Sequence, residues 1–437
     1  MSGIEIGLLS VVGVLVLVYA GMHVSIALGL LSFAGIWMVR GDLEIAGKML
    51  SLAAAESLAQ YEFGVVPLFV LMGLFVSVAD LGKDTYEVAN QLFRRVKGGL
   101  GTATVAANAV FAAITGTSIA SASVFTKIAV PEMLRHGYTA RFAVGVVAGS
   151  SVLGMLIPPS ILLIIFGVLS ETSIGHLFIG GILPGIVLAL AYMALIAYLA
   201  HRHPHKVMVG GADAAPPERL MSARELSARA GPITLLIVAV IGGIYTGQFT
   251  AIEAGAFGAF GAFAIAAWRK RLSRAVLWRI LTETGHITAA LCFLLIAAHL
   301  YTRLITITGI PGAMESAVGS VGLGFWGIMT VYMIVILLLG TIIDSGSILL
   351  LTVPLAVPLF APYQTDLVWL GIATVLAVEI GLLTPPFGLA VFVVHSTLRS
   401  QNISVHDIFM GSLPFAGVMF IVLLLVLAFP VLVTALL

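Results

Sequence analysis

An eight-residue pattern occurs twice in this chain. Gly116-Thr117-Ser118-Ile119-Ala120-Ser121-Ala122-Ser123 is matched 224 residues later by Gly340-Thr341-Ile342-Ile343-Asp344-Ser345-Gly346-Ser347, with Gly, Thr, Ile, Ser and Ser at the same spacing. Each copy is followed by a proline pair inside an apolar run, Gly154-Met155-Leu156-Ile157-Pro158-Pro159 and Gly381-Leu382-Leu383-Thr384-Pro385-Pro386. A weaker echo, Leu183-Pro184 against Leu413-Pro414, comes later still. Three matches in one order identify an internal duplication. Proline cannot donate the i to i−4 bond, so helices break at both proline pairs.

The surroundings of these breaks decide what kind of fold they interrupt. Of 437 residues, 60% are hydrophobic and 9% charged, with a mean hydropathy of +1.14. Soluble domains carry about 25% charged residues. The chain is therefore expected to be an all-α polytopic membrane protein. A net charge of +1 says nothing about partners, and none of nucleic-acid type is expected. The single Cys292 gives no disulfide framework. Met1 to Leu8 lacks a basic region, so the first span is read as retained, not cleaved.

In chain order, 5–20 and 23–39 read as short spans and 40–62 as an interfacial amphipathic helix. A span at 64–79 and a polar arm at 80–98 lead into 99–130, where the first signature sits mid-run. A run of about 32 residues broken at its centre suits a re-entrant helical hairpin. An interrupted span at 142–170 and a span at 177–200 follow. Residues 201–230 form a polar linker. The second half mirrors this: spans at 231–247 and 251–267, a basic loop at 268–284, a span at 286–304 and a polar arm at 309–321. The second hairpin (322–360), an interrupted span (366–397) and a last span (406–435) complete it. The expected organisation is thus 1–62, repeat 1 at 63–200, the linker, further spans with the basic loop at 231–284, and repeat 2 at 285–437.

Charge sets the orientation. The arms of the first hairpin carry Lys83, Arg94, Arg95, Lys97, Arg135 and Arg141; the matching arms of the second carry only Glu315 and Asp366. Basic loops stay on the cytoplasmic side. The two hairpins then enter from opposite faces, as inverted repeats, a plan shared by many secondary transporters. On the same count 201–230, 268–284 and Arg399 lie inside, and the amino terminus outside.

The two signatures, the Ile157-Pro158-Pro159-Ser160 and Thr384-Pro385-Pro386-Phe387 interruptions and the stretch Gly64 to Gly73 resemble the large permease subunit of the tripartite ATP-independent periplasmic (TRAP) transporters, over essentially the whole chain. The resemblance implies an elevator-type, sodium-driven importer in the bacterial inner membrane. It also implies a small four-helix membrane subunit and a periplasmic substrate-binding protein that delivers an organic anion, such as a C4-dicarboxylate or a sialic acid.

Broken helices offer ion ligands: unwound carbonyls and hydroxyls suit sodium, and half-helix N-termini suit a carboxylate. Thr117, Ser118, Ser121 and Ser123 with Gly154, Ile157 and Pro158 are the candidate first sodium site. Thr341, Asp344, Ser345, Ser347, Gly381, Thr384 and Pro385 are the candidate second. The substrate carboxylate is expected between the tips, against Ser121, Ser345 and Ser160. Sodium is the expected metal and coupling ion, with no cofactor. The plainer readings stand beside these. Membrane hydroxyls also serve as packing glue, and a proline pair also just kinks a helix. Asp344, an acid at a tip expected to be buried where the first copy has Ala120, points to ion binding or tip capping, against a salt bridge or a water-filled cavity. Lys127 is read as snorkelling to the surface. Arg303 is read as an interface anchor ahead of a substrate contact, Glu253 and Glu379 are ambiguous, and His201, His203 and His205 suit a solvated loop better than a metal cluster. No phosphate-binding loop or zinc-protease spacing occurs, so no enzyme is expected. The rivals to a receptor-dependent importer are a stand-alone sodium–dicarboxylate or arsenite-type transporter and a membrane scaffold or channel-like subunit.

Overall fold

The structure, a computed structural model, describes residues 2–209, 220–398 and 403–437. Arg399, which entered the charge reading, and residues 210–219 of the linker lie outside the described residues. The described chain is helical, with no β-strand beyond an isolated bridge between Tyr138 and Met208.

The first half holds α1 (Gly3–Tyr19), α2 (Val24–Arg40), α3 (Leu43–Ala59), α4 (Val65–Val78), α5 (Leu81–Phe93), α6 (Gly99–Thr115), α7 (Ser118–Arg135), α8 (Ala140–Ser151), α9 (Leu153–Leu156), α10 (Ile161–Ser170) and α11 (Ile174–Arg202). A short α12 (Pro204–Val207) leads to α13 (Ala223–Tyr245), α14 (Ala251–Trp268), α15 (Arg274–Thr308), α16 (Ile310–Val321), α17 (Phe325–Gly340), α18 (Ser345–Phe360), α19 (Leu367–Gly381), α20 (Leu389–Thr397), α21 (Val405–Ala428) and α22 (Val431–Thr434). Many starts are set by a side-chain cap that takes up an orphan N–H: Thr117 for α7, Ser160 for α10, Thr250 for α14 and Asp366 for α19.

Among the described residues, seven helices, counting α8 to α10 as one, are long and apolar enough to cross a membrane, or eight if the bent α4–α5 pair is one span. That pair turns through 65° at Asp80, which takes a left-handed backbone (φ 59) that aspartate tolerates. The expected span and polar arm are these two helices. Two boundaries differ from the expected element bounds. The basic loop shrinks, because Ser273 caps a 35-residue α15 that begins at Arg274. The break at 285 therefore falls inside one helix. The linker ends early, where the Ser222–Glu225 capping box starts α13. The polar arm at 309–321 is the helix α16.

The two copies interlock. α7 packs on α20, and α18 packs on α10, so the second helix of each hairpin rests on the helix after the other copy's break. α8 packs on α21 and α19 on α11. α8 and α19 are buried along almost their whole length. The other helices form a flank: α2 and α3 lie on α15, and α14 on α4.

Segments that charge assigns to the inside gather at one end. Arg271 pairs with Asp80 at 2.8 Å and Arg141 with Asp407 at 2.9 Å. Arg229 pairs with Glu87. Arg269 pairs with Asp84 at 2.5 Å. Thr139 N donates to Val207 O, joining the turn before α8 to the linker. From this end α15 rises about 52 Å, at about 1.5 Å per residue. It delivers α16 to the far end, where the start of α1 meets Thr308.

Candidate functional site

Each signature is the junction of two helices that fold back on one another, and each junction touches its own copy's proline break. In the first copy Thr117 Oγ1 caps α7 by accepting from Ala120 N at 3.2 Å. Gly116 ends α6 at φ +63, in the left-handed region that favours glycine, and a Cβ there would meet Pro159 O at 2.4 Å. Gly116 O accepts from Ile161 N at 3.2 Å, beyond the break. In the second copy Thr341 O accepts from Phe387 N at 3.1 Å, one residue out of register with the first. There Gly340 and Gly381 touch backbone to backbone, a Cβ on Gly381 falling 2.4 Å from Gly340 Cα. In each copy the tip and the break are therefore in contact. Gly154 faces the Thr117 carbonyl, and Pro158 is buried with Ile157 half-buried beside it.

The hydroxyls divide into two groups. Thr341 Oγ1 donates to Leu338 O at 2.8 Å, and Thr384 Oγ1 to Gly381 O at 2.9 Å. Ser160 Oγ donates to Met155 O and accepts from Leu163 N, as the cap of α10. Those oxygens are engaged by the backbone. Ser121 Oγ is buried with no hydrogen-bond partner among the described residues, and Ser118 and Ser345 are buried close by on their tips. Ser123 is half-buried.

Asp344 corrects the expectation of a buried acid: it is exposed on the surface of the chain. It caps α18, accepting from Ser347 N at 3.1 Å and Ser347 Oγ at 2.5 Å. Pro385 and Pro386 are exposed too, whereas Pro158 and Pro159 are buried, so the two sites differ in access.

Glu379, ambiguous in the sequence, is wholly buried. Ser118 Oγ donates to its Oε2 at 3.0 Å across 261 residues of sequence, joining the first tip to the second copy's break. Oε1 has no partner among the described residues. The hydroxyl of Tyr192 is also buried and unpartnered among the described residues. The signal available in the sequence was an acid two residues before Gly381 in an apolar run. Asn108 carried no signal; its Nδ2 donates to Ser150 Oγ at 2.6 Å, tying α6 to α8.

Other residues resolve simply. Arg303 pairs with Glu56 of α3 at 2.6 Å. Glu253 caps its own helix through Thr250. Lys127 is exposed. His201 Nδ1 sits against Ala197 O, and no group of three metal-ligating side chains of the His, Cys, Asp or Glu type occurs among the described residues. A cavity of about 760 Å³ opens between Tyr61, Glu171, His176, Tyr245 and Thr250. None of the expected site residues lines it.

Comparison with known proteins agrees with this architecture. A solved structure of the Alcanivorax borkumensis YdaH transporter matches with a TM-score of 0.64 at 10% identity, over 89% of this chain and 88% of that one. At that identity the likeness speaks for the fold alone. The C4-dicarboxylate TRAP transporter large permease protein DctM of Pseudomonas aeruginosa is 34% identical over 352 residues, 79% of this chain and 80% of the relative. The sialic acid TRAP transporter large permease protein SiaM of Vibrio cholerae is 30% identical, over 96% of both chains. The 2,3-diketo-L-gulonate TRAP transporter large permease protein YiaN of Escherichia coli is 29% identical, over 90% of both. A family model described as "Tripartite ATP-independent periplasmic transporter, DctM component" matches residues 11–432, and the chain, a multi-pass membrane protein, belongs to that family.

Proposed function

We propose that this chain is the large membrane subunit of a sodium-coupled importer of small organic anions in the bacterial inner membrane. It works with a small membrane subunit and a periplasmic binding protein that hands over the substrate. The observation that carries the reading is the pair of tip–break junctions in a chain of this family, because such junctions collect half-helix ends and freed carbonyls at one depth. The relatives' printed substrates, a C4-dicarboxylate, a sialic acid and a diketo-gulonate, are all organic acids, which favours an anionic substrate here.

In this reading the copies are inverted, with α6 entering from the basic end and α17 from the opposite one. The length of α15 supports that arrangement. The interlocked core of α6–α11 and α16–α22 is the moving body, and α1–α3 with α13–α15 form the scaffold. Sodium binds at each tip, and the carboxylate lies between them against Ser121 and Ser345, with Ser160 as a third contact once α10 releases it. The test is uptake into proteoliposomes holding both membrane subunits. An inward sodium gradient and external loaded receptor are both expected to be required, with no ATP. Equal uptake with potassium in place of sodium on both sides would refute the coupling. Uptake without receptor would make the chain a stand-alone transporter.

A further inference from the structure

The two tips carry unequal charge in sequence: Asp344 stands in the second where the first has Ala120. The fold supplies what the first tip lacks. Glu379 reaches it from the other copy and accepts from Ser118 Oγ at 3.0 Å. Each tip thus has one carboxylate, the second from its own copy and the first from its partner copy.

That carboxylate is in an unusual position. Glu379 is 0% exposed, and among the described residues no Lys, Arg or His pairs with it. Among those residues its only hydrogen bond comes from a neutral hydroxyl, and Oε1 is unpartnered. A buried carboxylate needs a positive partner, and an intramembrane acid marks a functional site by default. Helix α7 points its N-terminus, the positive end of its dipole, at this carboxyl, which offsets only part of the charge. Ser118 and Ser121 lie three residues apart, on one face of α7. Ser121 Oγ, Glu379 Oε1 and the Tyr192 hydroxyl are three buried oxygens without a partner among the described residues. Hard oxygen ligands of this kind select a hard cation over a soft one.

We propose that Glu379 is the anionic ligand of the first ion site, where it binds a hard monovalent cation, sodium, together with the Ser118 and Ser121 hydroxyls. Occupancy then bridges the two copies, because the ion is held by the tip of one and the broken helix of the other. The proposal rests on the sodium-coupled reading only for the identity of the ion.

The test is equilibrium binding of radioactive sodium to the full chain in detergent, with sodium-dependent melting measured in parallel. Glu379→Gln keeps the size and an acceptor for Ser118 but removes the charge. It is expected to bind one sodium fewer than wild type, or to need at least tenfold more for that ion. Glu379→Asp is expected to recover most of the binding, and Asp344→Asn to leave this ion in place. Unchanged sodium number and affinity in Glu379→Gln would overturn the proposal. A lower melting temperature with that same unchanged binding would make Glu379 a structural strut and overturn it equally. If sodium binding is unchanged while uptake loses its pH dependence, the carboxyl carries a proton and the sodium assignment falls. Wild-type uptake that ignores sodium would refute the coupling separately, while loss of one bound ion in Glu379→Gln would still uphold the site.

Discussion

Asp344 and Glu379 look alike in sequence, two acids in apolar runs, yet the fold gives them different settings. Asp344 is exposed and spends both oxygens on Ser347. Capping and ion binding by Asp344 separate by substitution. Asp344→Asn keeps a capping oxygen and removes the charge; Asp344→Ala removes both. A lost N-cap costs about 1 kcal/mol. Asp344→Ala is therefore expected to lower the melting temperature in detergent, and Asp344→Asn to leave it near wild type. If the second ion site uses the charge, both variants raise the sodium concentration for half-maximal uptake about tenfold, equivalent to about 1.4 kcal/mol. A normal sodium response in Asp344→Asn would restrict the residue to capping.

Among the helices, the tightest requirement is where tips meet breaks. Gly340 and Gly381 approach so closely that neither can carry a Cβ without moving a backbone. Overpacking of this kind costs about 1–3 kcal/mol, occasionally more. Gly381→Ala is expected to separate α17 from the end of α19 and weaken transport more than it weakens folding, because the rest of α19 stays buried against α11 and α21. The measurement is sodium-dependent uptake set beside the melting temperature of the same preparation. Loss of folded protein with normal specific uptake in the remainder would place the contact in stability alone.

For the whole molecule the question is which end faces the cytoplasm. Lys97 is exposed just before α6, and Gly319 is exposed in α16 with open space where a Cβ would go. With Cys292 replaced by alanine, Lys97→Cys is expected to react with an impermeant thiol reagent only from the cytoplasmic side, and Gly319→Cys only from outside. Labelling of both from one face would end the inverted-repeat reading. Lys97 serves better than Gly99, where a Cβ would strike Phe93 O at 2.4 Å.

The sequence alone determined the helical membrane class, the duplication and the places where helices break. These are local properties: apolar run length, a proline without a donor, and a glycine followed by a capping threonine act within a turn or two. It also grouped Thr117 with Gly154, because the copies repeat them together, and the two touch in the fold. Tertiary structure decided what is non-local. It set the exposure of Asp344, the pairing of Arg303 with Glu56, the capping that occupies Ser160, and above all the reach of Glu379 to Ser118. That last contact joins residues 261 apart in different copies. It has no counterpart in the repeat, since Ile342 stands where the first copy has Ser118. Periodicity says which residues share a helix face; only the packing of α7 and α19 into one core decides which faces meet.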